Sequence, residues 1–132
     1  MTIQLACLLI GALLPYIWAF SSLPFRNNQF GTVDLNQPRV QAEKLEDAGA
    51  RVWGAQMNAW EALAVFTVAN VAAFMGGVEP AGNWSYAALG WVVFRIGHGG
   101  FYIADVPAAR VLCFVGATGM SIWIFVMGLM AS

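Results

Sequence analysis

Four long apolar runs, parted by shorter polar connections, set the pattern along this chain. The first, from Thr2 to Phe20, and the last, from Val111 to Ala131, carry no charge at all. Between them, Val52 to Val78 holds a single charge, Glu61, and Ser85 to Ile103 holds Arg95 and His98. A hydrocarbon core about 30 Å thick is crossed by roughly 20 helical residues, so each run is long enough to cross once. Barrel strands would show as alternating segments of about ten residues, and these runs are continuous. The pattern predicts an all-α membrane protein: one domain over residues 1–132, a four-transmembrane-helix bundle with spans at about 2–21, 48–77, 84–104 and 107–131.

The longest connection, about residues 26–45, opens with Asn27, Asn28 and Gly31 and reads as a loop in its first half. From Gln41 to Glu46 it is rich in helix formers, which predicts an extension of the second helix out of the membrane. Pro80, Gly82 and Asn83 predict a turn. Asp105 ahead of Pro107 predicts an N-cap for the fourth helix. Pro15, inside the first span, predicts a kink that neighbouring helices absorb.

Composition narrows the class further. The chain is 60% hydrophobic and 10% charged, against about 45–50% and about 25% in soluble domains. That excludes an ordinary soluble domain and a disordered tail. Six Lys+Arg against seven Asp+Glu leave no basic surface for a nucleic acid. The first run lacks a positive start and a small-x-small cleavage site, so it reads as a retained span, not a signal peptide.

The few charges are distributed unevenly. All six cations (Arg26, Arg39, Lys44, Arg51, Arg95 and Arg110) lie between the first two runs or at the facing ends of the last two. The connection over residues 76–83 has Glu79 and no cation. The positive-inside rule then puts the connections around 26–51 and 105–107 in the cytoplasm and both termini outside, in a multi-pass protein of the cell (inner) membrane.

Ionisable side chains at membrane depth face a bundle interior or a wet cavity and are functional candidates by default. On the second helix Arg51, Asn58 and Glu61 share one broad face, and on the third Arg95, His98 and Tyr102 follow at i, i+3 and i+7. Arg110 stands one turn inside the fourth. Such a cluster suits a polar, charged ligand: a carboxylate holds an ammonium, arginines hold carboxylates, and an arginine beside a thiol favours the thiolate. Plainer roles exist for each residue. Arg26 and Arg51 suit interfacial anchors, Glu61 with an arginine suits a structural pair, Asn58 suits interhelical bonding, and His98 suits packing. Ala55/Ala59 and Ala69/Ala73 have the spacing of close helix contacts. The plain roles do not account for every such group pointing to one end.

Cys7 and Cys113 fall at different depths along their helices, so no disulfide between them is expected. Two cysteines and one histidine are too few for a metal site. Both thiols read as small apolar side chains.

The run Gly54-Ala-Gln-Met-Asn58-Ala-Trp-Glu61-Ala-Leu-Ala-Val-Phe66 resembles the signature of the MAPEG family, the membrane-associated proteins in eicosanoid and glutathione metabolism. The family pattern is an arginine, then Ala-(His/Gln)-x-Asn-x-x-Glu, then an apolar run ending in Phe. The resemblance extends over nearly the whole chain through the four spans and the string Arg95-x-x-His98-x-x-x-Tyr102…Pro107-x-x-Arg110. It implies a homotrimer that binds glutathione as co-substrate between subunits near the cytoplasmic face and meets a lipophilic electrophile from the membrane lipids. By position it implies glutathione-binding roles for Arg26, Arg51, Asn58, Glu61, Arg95, His98 and Tyr102. Arg110 matches the thiol-activating arginine, and no metal is implied. Compactness and the lack of a retention signal suggest a bacterial member.

One position departs from that pattern. Gly54 stands where the glutathione-using members carry arginine, and Met57 occupies a position that is basic in some. Losing a charge-assisted hydrogen bond costs about 1.5–3 kcal/mol, a ten- to hundredfold loss of affinity. Two function classes therefore stand: a glutathione-dependent transferase or peroxidase, and a non-enzymatic binding or scaffold protein on the same fold. A small transporter fits poorly, because neither broken helices nor inverted repeats are evident.

Overall fold

The computed structural model describes all 132 residues. Four long helices, α1 (Thr2–Ser21), α4 (Asp47–Met75), α5 (Asn83–Ile103) and α6 (Pro107–Ala131), form the bundle, and two short ones, α2 (Leu23–Phe30) and α3 (Pro38–Glu43), lie between α1 and α4. Prolines open α2, α3 and α6 at the first turn, where an amide N–H has no helical partner to lose. Gly31, left-handed at φ 78°, closes α2. Pro15 is buried inside α1, which remains helical through it.

Three stretches, Thr2–Phe30, Asp47–Met75 and Pro107–Ala131, are long and apolar enough to cross a membrane. α5 has the length, 21 residues or about 31 Å at 1.5 Å per residue, but less apolarity. Its polar residues Arg95 and His98 are buried within the protein, so the helix has the composition of an interior element.

The core is made of small residues that admit large ones. Phe66 stacks on Trp91 with ring centroids 3.9 Å apart and planes 7° from parallel. Ala69, Ala73, Ala88 and Ala117 are buried around that pair and Trp84. Ala55 and Ala59 are buried as well, so both small-residue pairs of α4 lie at helix contacts. At the end remote from the cations, α4 and α6 touch backbone to backbone. A Cβ on Gly128 would stand 2.6 Å from the Ala72 carbonyl carbon, and one on Gly76 would meet the Gly128 carbonyl. Lipid tails compete for apolar surface as well as another helix does, so helices in a bilayer associate through such close packing. Outward faces are apolar, with Leu9, Phe20, Val93 and Leu112 all more than half exposed. A chain with this inside-out arrangement is a membrane protein.

Polar side chains tie the same remote end. Gln4 Nε2 donates to the Pro80 carbonyl at 2.6 Å and to Ser85 Oγ at 3.1 Å, while Trp84 Nε1 donates to Asn70 Oδ1 at 2.9 Å. The Gln4 bonds hold the turn between α4 and α5 onto α1, and the Trp84 bond ties α5 to α4.

Three local expectations are corrected. The first half of the long connection is helical in α2 and does not form a loop until Gly31. Its second half does not extend the next helix: α3 ends at Glu43, Glu46 is extended, and Asp47 takes φ 47°. Gln29 stabilises that break by donating to the Lys44 carbonyl at 2.8 Å and accepting from the Glu46 amide at 3.0 Å. Helix propensity over Gln41–Glu46 is overridden by these side-chain bonds. Finally, Asp105 does not cap α6. The N-cap is Val106 without a side-chain bond, and Asp105 turns left-handed at φ 59° to approach Arg51.

Candidate functional site

The inward face of α4 meets α5 through Arg51, Gly54 and Asn58. Arg51 Nε donates to the Ile103 carbonyl at 3.2 Å, and its Nη1 lies 3.8 Å from Asp105 Oδ2. Three residues along, Gly54 faces Tyr102: a Cβ there would stand 2.7 Å from Tyr102 Cζ and closer still to the hydroxyl. Another turn along, Arg95 Nη1 donates to Asn58 Oδ1 at 2.9 Å, and Asn58 Nδ2 makes a long 3.5 Å contact with Glu61 Oε2. The antiparallel pair is thus fastened at three levels.

Tyr102 is the hub of the lower level. The Arg110 guanidinium sits 4.4 Å above its ring centroid, a cation–π geometry. His98 meets it edge-on with centroids 5.6 Å apart. His98 also tilts against Phe114 of α6 at 6.3 Å. Two buried polar atoms here have no partner, Arg95 Nε and His98 Nδ1. A buried polar group left unpaired costs about 1–3 kcal/mol, which makes these two atoms the places in the network where a further hydrogen-bond partner would gain most.

Beside this network lies a cavity of about 210 Å³, lined by Asn58, Glu61 and Thr118 on its polar side and by Val65, Trp91 and Phe114 on its apolar side. Through Val65 and Ser121 it borders an apolar groove of about 380 Å³ between α4 and α6, with Val68, Ile122 and Phe125 in its walls. Polar groups therefore stand at one end of a path and lipid-like walls at the other.

The structure brings together Arg51, Asn58, Glu61, Arg95, His98, Tyr102 and Arg110. Arg26 behaves differently. It is buried, and its Nε and Nη1 donate to Ser22 Oγ at 3.0 Å and to the Pro38 carbonyl at 2.9 Å. Those bonds clasp α1, α2 and α3 together, and none of them reaches the α4–α5–α6 network. Cys7 and Cys113 are both free thiols. Sequence reasoning missed Asp105 as the partner of Arg51 and missed the contact of Gly54 with Tyr102. Both are encounters between helices, and spacing within one helix carries no signal of them. It missed Gln56 too, whose buried Oε1 is unpaired although its place in the Ala-Gln motif was visible.

These features define a class: an α-helical membrane protein whose bundle encloses a polar, arginine-rich site at one end. Residues 3–130, essentially the whole chain, match the MAPEG family, and the protein belongs to that family. No curated protein and no solved structure shows significant similarity to it.

Proposed function

We propose that the protein is a membrane-bound, glutathione-dependent transferase or peroxidase, working as a homotrimer of four-span subunits with both termini outside the cytoplasm. Glutathione binds at the cytoplasmic face between subunits. Asn58, Glu61, Arg95, His98 and Tyr102 hold the tripeptide, with Arg51 and Arg26 at its margin, and Glu61 takes its ammonium group. Arg110 holds the thiol as thiolate, the nucleophilic form. The thiolate sulfur bonds to the electrophilic carbon of a lipophilic substrate and the leaving group departs with the bonding pair. With a hydroperoxide, two glutathione molecules are oxidised to the disulfide as the peroxide becomes alcohol and water. Fixing thiolate and substrate side by side supplies much of the rate.

One observation carries this reading. Arg110, stacked on Tyr102, shares its end of the bundle with the Glu61–Asn58–Arg95 chain, and the cavity beside that chain borders an apolar groove. A charged co-substrate and a membrane-borne one fit the two parts. The test is the ultraviolet absorbance of bound thiolate on adding glutathione to purified protein, in wild type and Arg110→Ala. A signal in wild type that Arg110→Ala abolishes supports the reading, and no signal in either sinks it.

The second reading, a non-enzymatic ligand-binding or scaffold subunit, draws on Gly54. Tyr102 fills the space beside it, so a longer side chain at position 54 would collide with the ring where it now lies. Turnover of 1-chloro-2,4-dinitrobenzene that depends on Glu61 and Arg110 would exclude it.

A further inference from the structure

Gly54 is a position on the inward face of α4 at which an added methyl group would strike Tyr102. The three atoms nearest to such a Cβ all belong to Tyr102: its hydroxyl, Cζ and Cε1, the last at 3.1 Å. These nearest atoms belong to a side chain and not to backbone, so the ring can move without the helices parting. What yields is the ring, and the ring is what Arg110 rests on. Arg51, one turn before Gly54, bonds the carbonyl of Ile103, the residue next to Tyr102. That bond ties the end of α5 to α4 beside the ring.

Resting on the proposed function, we infer that Gly54 is a positioning residue for Arg110, acting through Tyr102. Its missing side chain lets the phenol lie against α4, and the seated ring fixes the height and plane of the guanidinium that faces the co-substrate thiol. A tyrosine ring here occupies space that a longer side chain at position 54 would need. The chain has a ring platform for one cation in place of two cations on neighbouring helices.

The contact is tested by a double-mutant cycle read as a pH profile. Full-length protein in detergent is titrated with glutathione, and the midpoint of thiolate formation is recorded for wild type, Gly54→Ala, Tyr102→Leu and the double variant. Gly54→Ala raises the midpoint by about one pH unit, a tenfold change in the thiol's acid dissociation, and Tyr102→Leu raises it likewise. The double variant matches Tyr102→Leu, because without the ring the new methyl has nothing to displace. Additive shifts, or a Gly54→Ala midpoint equal to wild type, overturn the inference while leaving the proposed function intact. Absence of thiolate from the wild type overturns the proposed function instead. Should Gly54→Ala not fold, the double variant reads the same contact: folding regained by Tyr102→Leu supports it, and folding still lost overturns it.

Discussion

Arg95 of α5 and Asn58 of α4 are joined by a 2.9 Å hydrogen bond, with Arg95 as a whole only 2% exposed. A cation so buried is stable only while its surroundings supply acceptors. Asn58 is its one hydrogen-bond partner, and Asn58 in turn leans on Glu61. Asn58→Ala therefore strands the charge. The expected loss is about 1.5–3 kcal/mol of stability, measured by unfolding in mixed detergent micelles, together with loss of glutathione binding.

Arg110→Lys and Arg110→Ala separate charge from shape. Lysine keeps the positive charge but not the planar group that stacks on Tyr102. Thiolate formation falls in the order wild type, lysine, alanine, with alanine down about ten- to a hundredfold. Equal values for all three would remove Arg110 from the site.

Gly128→Val forces a side chain into the Ala72 carbonyl group, where backbone cannot move aside. A loss of about 1–3 kcal/mol is expected, as for other overpacked contacts. Gly119 has open space around an added Cβ, so Gly119→Ala on the same helix is the control and should unfold like wild type.

Asp105→Gly sets two small effects against each other. It removes an ion pair whose partners are 32% and 66% exposed and 3.8 Å apart, a class worth about 0.2–1 kcal/mol. It also relieves a left-handed residue at φ 59°, which costs roughly 1–2 kcal/mol in an L-residue. Asp tolerates the left-handed region better than most residues, and glycine's extra freedom in the unfolded chain costs roughly 0.5–1 kcal/mol, so the terms nearly cancel and the variant should melt close to wild type. A lower melting point would show that Asp105 does more for the turn than pair with Arg51.

Much of this architecture is legible in the sequence. Apolar runs placed the four long helices to within a few residues, since a helix that faces lipid on one side and Ala-rich neighbours on the other has few polar positions to confuse the pattern. The faces of α4 and α5 were legible for the same reason: i, i+3 and i+7 arithmetic brings Arg95, His98 and Tyr102 onto one side. The connection between α1 and α4 was not, because Gln29 and Gln41 set its shape through bonds to backbone far along the chain. Arg26 shows the limit best. Its position just after α1 resembles a ligand-binding arginine, and its Nε and Nη1 bond Ser22 Oγ and the Pro38 carbonyl, contacts that no spacing rule reveals.

The back-to-back meeting of Gly76 and Gly128 has a mechanical consequence. Two helices pressed together at one end and parted at the other by a cavity behave like the arms of a pair of tweezers. Flexing of α4 against α6 is expected to pivot about the glycine contact, with an amplitude that grows with distance from it. The widest openings are then expected at the opposite end, beside Asn58, Glu61 and Arg110, and amide hydrogen exchange should run faster there than around Gly76.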